Sequence, residues 1–200
     1  MKRKRFPVIV IFLCTTIIGY AQEALRYPAL KQQIDSLIAM DKKAGQKTMA
    51  AKPGTRDSLN KEFKKIANAN TLVLKQIFKK YGFPNYDMVG KAASDNFFLG
   101  VQHSDTDLKF QRAVLKKMKL AVQQKKADPG KFAFLTDRVN VNSGKAQIYG
   151  TQVDYTADGS PFPKKLIDPE KVNERRKAVG LEPLEEYFDL IINARKQQKP

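Results

Sequence analysis

The chain has a single histidine, His103, so any imidazole chemistry rests on one residue. It lies in "QHSDTD", Gln102–Asp107, where His103, Asp105 and Asp107 spell H-x-D-x-D. A carboxylate beside an imidazole can orient it as a general base or acid. The same set could offer N and O ligands to a metal. One histidine is too few for the usual zinc ligand sets, so no metal is expected. His103 and Asp107 are therefore the candidate catalytic pair, and Gln102, which with His103 breaks an apolar face, is a candidate ligand contact. The plainer alternative is a helix boundary. Histidine is favoured electrostatically at a helix C-terminus, and aspartate is a good N-cap.

A second polar group lies in "DRVNVNSGKAQIYGTQ", which gathers Asp137, Arg138, Gln147, Tyr149 and Gln152. A third is the pair Arg175-Arg176. A guanidinium can clamp a carboxylate or phosphate bidentately, or it can simply pair with a neighbouring acid. Other chemistries are excluded. "DYTADG" (Asp154–Gly159) begins like a calcium loop, but the twelfth position, which needs a glutamate, is Lys165. There is no G-x-S-x-G elbow and no glycine-rich phosphate loop.

These groups sit in a strongly basic chain of 200 residues with net charge +17, a length that suggests one domain. Lys2, Arg3, Lys4 and Arg5 precede an apolar run from Val8 to about Gly19, and Gly19-Tyr20-Ala21 offers small residues for cleavage. This is the layout of a secretory signal peptide over residues 1–21, and the run is short for a spanning helix. The expected product is periplasmic or secreted. It is not a lipoprotein, because Leu13 precedes Cys14 where a lipobox needs a small residue. Cleavage removes the only cysteine, and with it disulfides and thiol chemistry. The remaining lysines invite contact with an envelope polyanion or a membrane surface. Nucleic acid is an unlikely partner, since no binding motif accompanies the charge.

The elements that must position the polar groups are mostly helical. Leu30, Ile34, Leu37 and Ile38 predict a helix from Pro28 to about Lys43. Residues 41–56 lose that period and read as a linker, so 22–56 is expected as an N-terminal helix and linker. A long helix is predicted from about Asp57 to Tyr81, stopped by Gly82 and Pro84. Of Asn68 and Asn70 within it, at least one is expected to be exposed. A small-residue helix from about Met88 to Gln102 follows, then one carrying Phe110, Val114, Leu115, Met118 and Val122 that stops near Asp128-Pro129-Gly130. A short helical turn is expected around Phe132–Thr136. Val139 and Val141 alternate with Asn140 and Asn142 before Ser143-Gly144, which predicts a β-hairpin at about 139–155. With Asp158-Gly159 as a second turn, a three-stranded meander is possible. Asp168-Pro169-Glu170 opens a helix ended by Gly180, and Pro183 opens the last, before a tail at 196–200.

Three stretches, "YGFPNYDMVGKAASDNFFLGVQHSDTDLKFQ", "FAFLTDRVNVNSGKAQIYGTQ" and "IDPEKVNERRKAVGLEPL", resemble in that order the bacterial domain-of-unknown-function family numbered 6624. Its pattern runs G-W-P, a small-residue helix, Q-H-x-D-x-D-x-x-F-Q, L-x-D-R-V, G-x-x-Q-x-Y-G-T-Q, D-P-x-x-V-D-x-R-R and G-L. The resemblance spans about Tyr81 to Leu184. Phe83 stands where the family has tryptophan, and Asn173 where it has aspartate, which puts a catalytic role at that position in doubt. The resemblance implies no activity and no cofactor. It implies that Gln102, His103, Asp107, Gln111, Asp137, Arg138, Gln147, Tyr149, Gln152, Arg175 and Arg176 belong to one shared polar system, either a ligand site or a buried hydrogen-bond network.

The expected architecture is thus mainly α with a small antiparallel β-hairpin or meander (α+β), one domain over residues 57–195 after the N-terminal helix and linker. The expected site is a pocket between the His103 helix end, the 137–152 hairpin and the Arg175 helix. Its ligand would be small and polar or anionic. If the protein is an enzyme, the chemistry is that of a hydrolase or lyase without a metal, with His103 as acid or base. The alternative is a non-enzymatic envelope or interaction module.

Overall fold

The computed structural model describes residues 25–197. The signal peptide expected over residues 1–21, Cys14 within it, and the last three residues lie outside that range. Among the described residues the chain forms α1 (Pro28–Met49), α2 (Pro53–Tyr81), α3 (Tyr86–Gln102), α4 (Leu108–Gln123), α5 (Pro129–Asn142), β1 (Val153–Tyr155), β2 (Pro161–Pro163), a 3-10 turn at Pro169–Lys171, α6 (Val172–Ala178) and α7 (Leu184–Gln197). The fold is mainly helical with one two-stranded antiparallel hairpin. No described helix is long and apolar enough to cross a membrane.

α1 and α2 pack on α3 through fully buried Ile34, Ile38, Leu74, Phe97 and Val101. Each such side chain contributes about 1.5–3 kcal/mol by leaving water. Gly100 sets the spacing. A Cβ there would lie 2.7 Å from both Ile38 Cδ1 and Leu74 Cδ1, so only glycine lets α3 come this close to both partners. The start of α3 departs from expectation. Gly90 is not helical (φ 78°, ψ 165°), and the first turn, capped by Asn85, is kinked against the rest. α2 ends as its sequence predicts, with Gly82 at φ 72° and its N–H on Phe78 O. Asn68 is exposed, whereas Asn70 is buried against α1.

Two expectations are corrected. The linker read over residues 41–56 is helical to Met49 and again from Pro53. Its lysines hid a continuing stripe: Leu30, Ile34, Ile38, Asp41 and Ala44 are all buried on one face of α1. The hairpin expected at about 139–155 is likewise displaced. Residues Val139–Asn142 are the last turn of α5, which begins where a stop was expected, with Asp128 as N-cap and Pro129 in its first turn. α5 misleads because neighbours cover it on nearly every side, so Ala133, Leu135, Asp137 and Val139 are all buried. A helix buried all round has no single apolar face for the 3.6-residue period to reveal. The true hairpin pairs Val153–Tyr155 with Pro161–Pro163 around Asp158-Gly159. Ser143 and Gly144 do make a turn, but it closes a helix and sends the chain back along α5.

Candidate functional site

The loop returning from Gly144 is bound to α5 by one carboxylate. Asp137 is fully buried and accepts from the backbone N–H groups of Ile148, Tyr149 and Thr151 and from the Thr151 hydroxyl, at 2.7–3.1 Å. Gly150 permits the bend, with φ 71° and a Cβ position only 2.9 Å from Leu184 Cδ1. Gln147 closes the loop on itself. Its amide donates to the carbonyls of Gln152 and Lys164, and its oxygen accepts from Gln152 N. Tyr149 contributes its backbone, and burial followed by the Asp137 charge pushes its phenol up.

The two arginines of α6 hold the far side of the same loop. Arg175 donates to the carbonyls of Ile148, Ile167 and Asp168. Arg176 is completely buried, donates to Glu182 O at 2.6 Å and Tyr149 O at 2.7 Å, and stacks 4.9 Å from the Tyr187 ring. Burial lowers its pKa against the opposing pull of Glu182. Both guanidiniums are occupied with main-chain oxygens, so neither reaches His103 as expected.

His103 faces the other way. It caps the end of α3, and its Nδ1 lies 2.5 Å from Oδ2 of Asp41, the buried carboxylate on α1. Asp41 has no exposure at all, the His103 side chain is 24% exposed, and Asp41 Oδ1 has no hydrogen-bond partner. The imidazole edge packs on Phe63, ring centroids 5.2 Å apart. A cleft of about 460 Å³ opens there, of a size that suits a small molecule. One wall is a single face of α2: Asn60, Phe63, Lys64, Ala67 and Asn68. The other is His103, Asp105 and Thr106, closed by Arg138 from α5.

Arg138 links the cleft to the loop. It grips Asp105 through Nε and Nη2 and donates from Nη1 to Gln152 Oε1 at 3.0 Å. Burial pushes the Asp105 carboxyl up, but Arg138, with Asn142 and Gln111, outweighs it and holds the group below the usual carboxylate range. Gln111 is buried beneath, donating to Val101 O and Gln102 O, with Oε1 unpartnered. Gln102 enters this network through its carbonyl.

Asp107 is not the partner of His103. It caps α4 by accepting from Phe110 N at 2.9 Å and pairs with Lys75 at 2.6 Å. The residue that sequence reasoning missed is Asp41, placed in a linker. The signal was an acid at the next position of the α1 stripe, where a buried carboxylate demands a partner. Among the described residues no three His, Cys, Asp or Glu side chains come together to hold a metal.

The fold and site define a mainly helical domain in which an imidazole on a buried carboxylate borders a polar cleft. The chain belongs to a family of unknown function, DUF6624, which matches residues 28–198. No curated protein and no solved structure matches it.

Proposed function

We propose that this is an exported protein whose cleft between α2, the end of α3 and Arg138 binds a small polar or anionic ligand, with His103 as the proton-transferring group. Export is supported by the leader layout of residues 1–21. The single observation that carries the ligand reading is the Asp41–His103 pair. A fully buried carboxylate on α1 fixes an imidazole that is itself part-exposed at the cleft mouth. With Nδ1 engaged, Nε2 is the nitrogen left to act as base or acid toward a bound molecule. The Lys64 ammonium and the remaining N–H groups of Arg138 suit an anionic end of that molecule, and the Asn60 and Asn68 amides suit its polar edge. The reaction class this supports is hydrolysis or elimination.

A second reading has an observation of its own. Asp137, Gln147, Arg175 and Arg176 spend their hydrogen bonds on main-chain groups. If the His103 end behaves likewise, the whole polar system is a structural network in a non-enzymatic envelope module.

His103→Ala separates the two. Melting of the variant should fall under either reading, because fully buried Asp41 loses its partner, so ligand binding is what decides. A thermal-shift panel of acetate, citrate, inorganic phosphate and sugar phosphates should contain a compound that raises the wild-type Tm and leaves the variant unmoved. A panel in which no compound shifts the wild type establishes the structural network instead.

A further inference from the structure

The lysines are not spread evenly over the fold. On α1 and α3 they meet acids: Lys31 pairs with Asp35, and Lys91 with Asp95 and Asp128. α4 contains no acid at all, yet its outer surface carries Lys109, Arg112, Lys116, Lys117 and Lys119. None of these five forms an ion pair among the described residues, and Arg112 meets only the Ser143 hydroxyl. Lys109/Arg112 and Lys116/Lys119 are spaced by three and Arg112/Lys116 by four, so like charges repel along the helix.

The face they belong to continues onto α2. A groove lined by Lys75, Phe78, Lys79, Asp107, Lys109, Phe110 and Ala113 joins the two helices. Within it Lys75 is paired with Asp107, while Lys79 and Lys109 form no ion pair among the described residues. Along α4 the row Lys109, Ala113, Lys116, Leu120 advances by four, three and four residues, and along α2 the row Leu72, Lys75, Lys79 by three and four. Leu120 is 50% exposed and Leu72 is 65% exposed, so each row presents a leucine among cations.

We propose that this α2–α4 face docks on an anionic phospholipid surface. The ammonium groups meet headgroup phosphates, while Leu72 and Leu120 enter the acyl boundary and the lysine stems lie along it. A nucleic acid is a poorer fit. The two aromatics of the groove, Phe78 and Phe110, are half-buried and buried and so offer no open ring for a base to stack on, and exposed leucines gain nothing from a phosphate backbone.

The experiment is cosedimentation of the chain beginning at Gln22, the expected product of leader cleavage, with phosphatidylglycerol-containing vesicles and with pure phosphatidylcholine vesicles. Without the basic apolar leader, the difference between wild type and variants reads this face. Lys109→Gln/Lys116→Gln/Lys117→Gln should lower binding to the anionic vesicles about a hundred-fold, with an unchanged Tm. Leu72→Ser/Leu120→Ser should weaken vesicle binding while leaving binding to polyphosphate unchanged. Equal binding of wild type and the triple variant to anionic vesicles overturns the proposal. So does a leucine pair without effect on vesicles in a protein that holds polyphosphate as tightly, which would make this a site for soluble polyanions.

Discussion

His103 Nδ1 and Asp41 Oδ2 stand 2.5 Å apart although their residues are 62 positions apart in the chain. We expect Nδ1 to be the donor in this bond, with the Asp41 carboxylate accepting. The tautomer follows. In the neutral imidazole the proton should sit on Nδ1 and leave Nε2 bare. With one histidine in the chain, a long-range nitrogen–proton spectrum reads this without ambiguity. Asp41→Ala should release the ring and shift population toward the Nε2–H tautomer. An Nε2–H majority in the wild type would remove the basis for His103 as a base.

Asp137 should be far more expensive to lose. Asp137→Ala strips the acceptor from the part-buried N–H groups of Ile148 and Tyr149 and from the buried N–H and hydroxyl of Thr151. At about 1–3 kcal/mol for each buried donor left unpaired, and with partial relaxation, the loss should be about 3–5 kcal/mol. Urea unfolding measures it, and amide exchange of Ile148, Tyr149 and Thr151 should lose protection first. A loss below about 1 kcal/mol would mean the loop finds other acceptors.

Tyr187 gives a pH signature. Its hydroxyl donates to Thr151 O at 3.0 Å, and burial pushes its phenol up to about 12. The folded pKa lies above the unfolded value near 10, so the fold favours the neutral phenol. Its contribution is therefore fully present below about pH 10 and is lost as pH rises toward the folded value. The stability difference between wild type and Tyr187→Phe should be constant through neutral pH and shrink above pH 10, at about 1 kcal/mol to begin with. Alkaline difference absorbance should show one late-ionising tyrosine missing in the variant.

The helices with one wet and one dry face were legible. α2 and α4 repeat apolar residues at helical spacing, and Gly82 and Asp107 mark the end of one and the start of the other by local chemistry alone. α5 was not, because covered surroundings erase the period and leave valine–asparagine alternation that mimics a strand. The candidate site was half legible. His103 and Arg138 face one cleft, but the acid that orients His103 comes from a lysine-rich stretch whose stripe is visible only when Asp41 is counted as buried. Arg175 and Arg176 look alike in sequence to any anion-binding pair. Only their geometry reveals that both guanidiniums are turned onto main-chain carbonyls.

Because Asp41 lies on the first described helix and His103 at the end of the third, the imidazole is oriented only when α1 has docked. During synthesis α1 is complete long before residue 103 leaves the ribosome, so a carboxylate destined for full burial waits in water for its partner. The protonation pattern of His103 is then a readout of finished assembly. A chain cut after Met49, with α1 detached, keeps every residue of the cleft wall and loses the one group that makes its histidine directional.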